Sequence, residues 1–300
     1  MNMLNFNKLV KPIKNTIKNI SVFGIILIVL IVILFVYKIF RNDGSKIEGF
    51  EQQEKFLHLK DQYIYDDFYA RIFNSLTNKN IVTSLEIGTI LESTKTTTES
   101  IILDIGCQVG VNDINLGKNL EIIGIHESKH MIKQAMMDSP DLKFLVGNVL
   151  NSAQFNPNSF THILALNMII YGYKDKRLFI NNCFDWLMPG GYFIVFLVDT
   201  TNYHPIEVTL PIKLITDESS EKSNITYNAN YNKQNNDTMT INEKFTFSNG
   251  NIRKQEQTLF LEDKQVILTI IQQTGFILQS IEDVSNLNYG NQYIYTFIKP

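Results

Sequence analysis

Residues 101–110 read IILDIGCQVG, an apolar run interrupted by Asp104 and followed by Gly106 and Gly110. An acid and two permissive backbone positions therefore stand where a buried strand ends. Glycine lets a ligand approach the main chain, and a helix starting there offers unpaired N–H groups and a positive dipole end. The chemistry this suits is binding of a nucleotide-like ligand at the carboxyl ends of strands, near a switch point of the sheet. The loop is not a dinucleotide fingerprint, because Gln108 stands where the second glycine is needed, and no Gly-Lys-Ser/Thr follows to make a phosphate loop. A glycine turn that joins strand to helix and binds nothing is the competing reading.

Other reactive residue types are sparse. The two cysteines, Cys107 and Cys183, cannot build a disulfide framework, and both read as small buried apolar side chains. His126 and His130 are the one close histidine pair, but they straddle a strand-to-helix boundary without further ligands, so no metal is expected. Tyr171 and Tyr173 follow the fourth apolar run, where they either line a substrate pocket or pack in the core. Lys174, Lys176 and Arg177 read as a solvated helix start.

The elements that must position these residues follow from periodicity. Aromatic and aliphatic residues at helical spacing (Tyr65, Phe68, Tyr69, Ile72, Phe73, Leu76) predict a helix over 52–76, and a second is expected over 82–91. Apolar runs at 101–105, 120–125, 142–146, 161–167 and 192–198 alternate with helical stretches at 111–118, 128–137 and 174–187. That alternation predicts a mostly parallel α/β sheet with right-handed crossovers. Residues 224–231, 238–247 and 252–260 alternate polar and apolar side chains around turns, as antiparallel strands do. A helix at 262–273 and a strand pair at 276–281 and 292–298 close the chain.

Charge divides the sequence in two. Residues 1–40 hold five lysines and no acid, whereas residues 41–300 hold 22 basic and 30 acidic side chains. An acidic body argues against bulk nucleic-acid binding, which needs a basic surface. Residues 20–37 carry no charge (ISVFGIILIVLIVILFVY). As a helix they span about 27 Å, close to the ~30 Å hydrocarbon core of a bilayer. A cleaved signal peptide is the rival, but no small-residue cleavage site follows. The organisation expected is a basic flank at 1–19, a transmembrane helix at 20–40 seated in a lipid bilayer, a linker at 41–50 and one folded domain at 51–300. Within that domain the α/β core covers 100–199 and a β-rich insertion about 203–260, before the final helix and strand pair at 262–298.

Residues 103–110 (LDIGCQVG) resemble the first motif of class I S-adenosylmethionine-dependent methyltransferases of the type 11 kind. The resemblance continues in order through 122–132 (IIGIHESKHMI), Gly147-Asn148-Val149, 158–166 (NSFTHILAL) and 186–196 (WLMPGGYFIVF). The whole chain is similar to membrane-anchored methyltransferase-like proteins of large DNA viruses. The resemblance implies a Rossmann-like fold, S-adenosylmethionine as cofactor and an unidentified methyl acceptor. It also implies a soluble domain facing the cytosol or a virion interior. By position, Asp104 orders the loop and approaches the methionine amine, and Gly106, Cys107 and Gly110 line the methionine part. Asn148 and Val149 fall at the adenine, and Asn167 faces the transferring methyl.

The departures sit in one pocket. His126 occupies the place of the acid that accepts both ribose hydroxyls, and a neutral imidazole offers one acceptor where a carboxylate offers several. Glu127 is adjacent, but inside a strand it would point to the opposite face. Gln108 and Val109 replace small residues, and Asn148 replaces Asp. A catalytically inactive membrane scaffold or binding module is therefore the alternative expectation.

Overall fold

The computed structural model describes residues 55–76, 88, 90, 93–110, 120–205, 207–215, 222–235, 237–284 and 291–300. The chain divides into two compact units, Met1–Glu51 and Gln52–Pro300, and all described residues belong to the second. The expected membrane span at 20–40, the linker at 41–50, the helix at 111–118 and most of that at 82–91 lie outside the described residues. Among the described residues no helix is long and apolar enough to cross a membrane.

A seven-stranded sheet forms the centre. Its strands are β2 (Ile101–Ile105), β3 (Glu121–His126), β4 (Lys143–Val146), β5 (Phe160–Ala165), β6 (Leu187–Val198), β11 (Ile277–Asp283) and β12 (Gln292–Ile298), in the spatial order β11-β12-β6-β5-β2-β3-β4. Strands β2 to β6 pair in parallel, while β12 runs antiparallel to β6 and to β11. Because β2 lies between β3 and β5, the strand order reverses beside it, which opens a crevice at its carboxyl end. The central strands β2 and β5 are almost wholly buried and mostly apolar, with Asp104 and His162 as buried polar exceptions, whereas the edge strand β4 is largely exposed.

The helices begin where side-chain caps permit. Ser128 accepts the His130 and Met131 amides at the start of α2 (Lys129–Asp138), which follows α1 (Asp67–Leu76) in the chain. Asp175 caps α3 (Lys176–Trp186), and Asp263 caps α4 (Lys264–Thr274), which ends at left-handed Gly275. The buried side chains of α3, with Trp186 and Phe179 the largest, join the main core against the sheet.

A second, five-stranded sheet has the order β1-β10-β9-β8-β7, with β1 (Phe56–Lys60), β7 (Val208–Ile215), β8 (Lys222–Asn235), β9 (Thr238–Phe247) and β10 (Ile252–Phe260). Here the helix expected over 52–76 is corrected. Residues 56–60 form β1, paired in parallel with β10; residues 61–64 form a 3-10 turn, and only Asp67–Leu76 is helical. The helical spacing of aromatics begins at Tyr65, and a distant strand decides the conformation of the residues before it.

Candidate functional site

The crevice beside β2 is a cavity of about 730 Å³, within the range of roughly 300–1,000 Å³ typical of small-molecule sites. One wall comes from the carboxyl ends of the parallel strands: Gly106 after β2, Ile125, His126 and Glu127 at β3, Gly147 and Val149 after β4, and Ile169, Gly172 and Tyr173 after β5. The facing wall comes from the 61–66 turn and from Gln257, Thr258 and Phe260 of β10.

β3 ends at His126, and Glu127 lies in the bend between β3 and α2. Strand alternation therefore does not bind Glu127, and it reaches the same cavity as His126. Its partial burial raises its pKa. His126 is buried, its Nδ1 accepts the Ser128 N–H at 2.9 Å, and burial lowers its pKa to about 4. The imidazole is thus neutral at physiological pH, and with Nδ1 accepting, Nε2 carries the proton. His126 can donate to a ligand oxygen, and Glu127 supplies the acceptors that the imidazole lacks.

Tyr65 faces His126 edge-on at 5.0 Å between ring centroids. Its hydroxyl accepts from Gln257 Nε2 at 2.7 Å, and its carbonyl accepts from Ser128 Oγ at 2.6 Å. Arg253 holds the turn above. It donates to the Ile64 carbonyl at 3.0 Å, to both Asp66 oxygens at 2.7 and 3.1 Å, and to Gln255 Oε1 at 2.9 Å. Gln255 in turn donates to Glu243, which also accepts from the Tyr69 and Tyr227 hydroxyls. Burial raises the Glu243 pKa, opposed by those hydrogen bonds and by Arg253. Arg253, Gln255 and Gln257, at alternate positions of β10, thus tie the second sheet to the cavity wall.

Several expected site residues lie elsewhere. Cys107 packs with Ile132, Ala135 and Phe144 in a small apolar cluster, away from the cavity. The space a side chain would need at Gly110 is filled by the Phe144 ring, 2.8 Å from a Cβ position, and Gly110 does not line the cavity. Asp104 is fully buried behind the loop. Asn148 is exposed, and its Oδ1 accepts the Leu150 N–H at 2.8 Å in a local turn. Asn167 is exposed outside the cavity lining. Tyr171 is a core residue: its hydroxyl accepts the Val198 N–H at 3.0 Å and donates to the Val198 carbonyl at 3.4 Å. Gly106, His126, Glu127, Val149 and Tyr173 are the expected residues that meet at the cavity.

The glycine loop carries strain. Gln108 has φ 56°, a conformation that favours glycine, and its buried Oε1 has no hydrogen-bond partner among the described residues. Asn167 and Met168, at φ 53° and 62°, are consecutive left-handed residues after β5; Asn tolerates this region, whereas for Met168 it costs about 1–2 kcal/mol. Sequence reasoning missed Tyr65, Asp66, Ser128, Gln257 and Ile169. The polar Arg-x-Gln-x-Gln row on the inward face of β10 was the available signal, since a polar row on a packed face needs partners.

Residues 103–195 match the methyltransferase domain family. No curated protein matches. Among solved structures, the chain is similar to the sugar N-methyltransferase KedS8 from Streptoalloteichus (12% identity, TM-score 0.62, 77% of this chain and 92% of that one). It is similar to the CcbJ methyltransferase from Streptomyces caelestis (12%, 0.60, 78% and 97%). A S-adenosylmethionine-dependent methyltransferase from Clostridium acetobutylicum is also similar (17%, 0.58, 77% and 97%). These likenesses bear on the fold. Residues 103–195 thus carry a methyltransferase domain match on a fold shared with S-adenosylmethionine-dependent methyltransferases.

The cavity fits the nucleoside end of S-adenosylmethionine. Glu127 offers carboxylate oxygens to paired hydroxyls, His126 a single N–H, and Val149 an apolar surface. The space a side chain would take at Gly147 is filled by Gln154, 2.6 Å from a Cβ position, so this glycine serves packing as well as access.

Proposed function

We propose that this chain is a membrane-anchored methyltransferase that moves a methyl group from S-adenosylmethionine to an acceptor not yet identified. The observation that carries the reading is the release of Glu127 from β3, which returns a carboxylate to the cavity beside the substituted His126. Bound there, the cofactor supplies an already activated sulfonium methyl, so the protein's task is alignment and exclusion of water. Glu127 holds the ribose hydroxyls, His126 donates from Nε2, and Val149 packs on the base. Gly106 marks the end of the cavity towards which the aminobutyrate tail extends. Tyr65, Tyr173 and Phe260 shield the reacting end, and the acceptor enters between Tyr173 and the 61–66 turn.

The support for the membrane anchor is the uncharged apolar run at 20–37, long enough as a helix to cross the hydrocarbon core of a bilayer. The cofactor and the two reduced cysteines agree with a domain facing the cytosol or a virion interior. Protease protection in sealed vesicles reports the orientation.

Calorimetric titration of the full chain in detergent tests the central reading. S-adenosylmethionine should give a saturable isotherm, and Glu127→Gln should weaken it about tenfold, roughly 1.4 kcal/mol. Absence of heat at millimolar cofactor would refute it. A second reading, a catalytically inactive membrane scaffold or binding module, is favoured by the packed glycines and by the Asn148 carbonyl engaged in its own turn. On that reading His126→Asp raises cofactor affinity from a very low base, and tight binding by the unmodified protein refutes it.

A further inference from the structure

The turn after β5 places a side chain on the glycine loop. Ile169 Cδ1 and Cγ1 lie 2.5 and 2.6 Å from where a Cβ on Gly106 would sit, so Ile169 fills the space that this glycine leaves open. Ile169 itself lines the cavity. The two residues before it, Asn167 and Met168, are both left-handed. The two after it, Ile170 and Tyr171, are fully buried, and the Tyr171 hydroxyl is held at both backbone polar groups of Val198. Ile169 is therefore carried between a strained Met168 and a fixed anchor. Strain of this kind persists where the surroundings enforce it and gathers at ligand clamps.

We propose that Ile169 determines which part of the cofactor the resting site accepts. It covers the Gly106 end, so the folded site takes a nucleoside thioether lacking the amino-acid tail as readily as whole S-adenosylmethionine. The tail is admitted when the 167–169 turn relaxes. This rests on the reading of the cavity as a S-adenosylmethionine site with Glu127 at the ribose. The apolar side chain excludes the tail twice over: it occupies the volume, and it offers no partner to a buried ammonium or carboxylate.

Calorimetry on the full chain in detergent separates the possibilities, with S-adenosylmethionine and 5′-methylthioadenosine as probes. The unmodified protein should bind the two within about threefold of each other, and Ile169→Ala should tighten S-adenosylmethionine about tenfold while moving 5′-methylthioadenosine less than about threefold. Unmodified protein that prefers S-adenosylmethionine by more than about tenfold overturns the role of Ile169 while leaving the cofactor site standing. An unchanged ratio in Ile169→Ala does the same. No heat from either probe with either protein overturns this role and the cofactor site together. The comparison of probes on the unmodified protein needs no variant, and thermal melts of Ile169→Ala and Ile169→Val confirm that the variants are folded.

Discussion

Replacing Arg253 with methionine removes one buried guanidinium and all four of its hydrogen bonds. Arg253 is 3% exposed, stacks on Phe68 at 4.8 Å, and stands near Glu243, whose pKa it lowers against the effect of burial. Methionine fills much of the volume but leaves the Ile64 carbonyl and Gln255 Oε1 without their donor, and Glu243 without its nearby cation. Asp66, the ion-pair partner, is 37% exposed, so most of the cost comes from the two acceptors left unsatisfied, about 3–5 kcal/mol together. At ~2–4 °C per kcal/mol for a domain of this size, the melting temperature should fall about 6–20 °C. The loss should also depend on pH. A buried carboxyl whose folded pKa lies above its unfolded value of 4.5 is best tolerated while protonated, and stability falls as pH rises through the folded value. Without Arg253 that shift grows, so the deficit should be larger at pH 8 than at pH 5. Glu243→Gln in the Arg253→Met background should restore part of it at pH 8. Circular-dichroism melts of the three proteins read this directly. An equal deficit at both pH values, with no recovery from Glu243→Gln, would refute the assignment of part of the cost to a buried charge left without its nearby cation.

Other outcomes are as specific. Gln108→Gly should raise stability by about 1 kcal/mol, measured by urea midpoint, because glycine adopts the left-handed conformation freely and removes a buried amide oxygen. Tyr171→Phe should cost about 1–3 kcal/mol, since the Val198 N–H loses its acceptor in the core, while S-adenosylmethionine affinity stays unchanged. His126 and His162, both lowered to about 4 by burial, hold fewer protons folded than unfolded. Stability should therefore be full above pH 6.5 and decline as pH falls towards 4, and His162→Gln should flatten part of that decline in equilibrium unfolding.

The central sheet was legible because its information is local. Strands β2, β3 and β5 are short apolar runs bounded by turns, and Ser128, Asp175 and Asp263 mark helix starts in the sequence itself. Residues 56–64 were misread because their conformation depends on β10, nearly 200 positions later, and no local pattern records such a partner. The site divides along the same line. Gly106, His126, Glu127, Val149 and Tyr173 follow strand ends and were found by position. The residues of the facing wall depend on how the second sheet docks. Cys107, Gly110, Asn148, Asn167 and Tyr171 fell in the right loops but turn away, because a motif specifies neighbourhood and packing specifies direction.

The bond from Arg253 to Asp66 spans 187 positions. During synthesis, the turn that closes the cavity emerges early and then waits for most of the polypeptide before its fastener arrives. A nascent chain that ends between β6 and β10 therefore holds the parallel strands with half a binding site. Nascent chains released at 199, 235 and 262 residues should acquire ligand-dependent protease resistance only at the last length, since the ligand has no second wall to close upon until then.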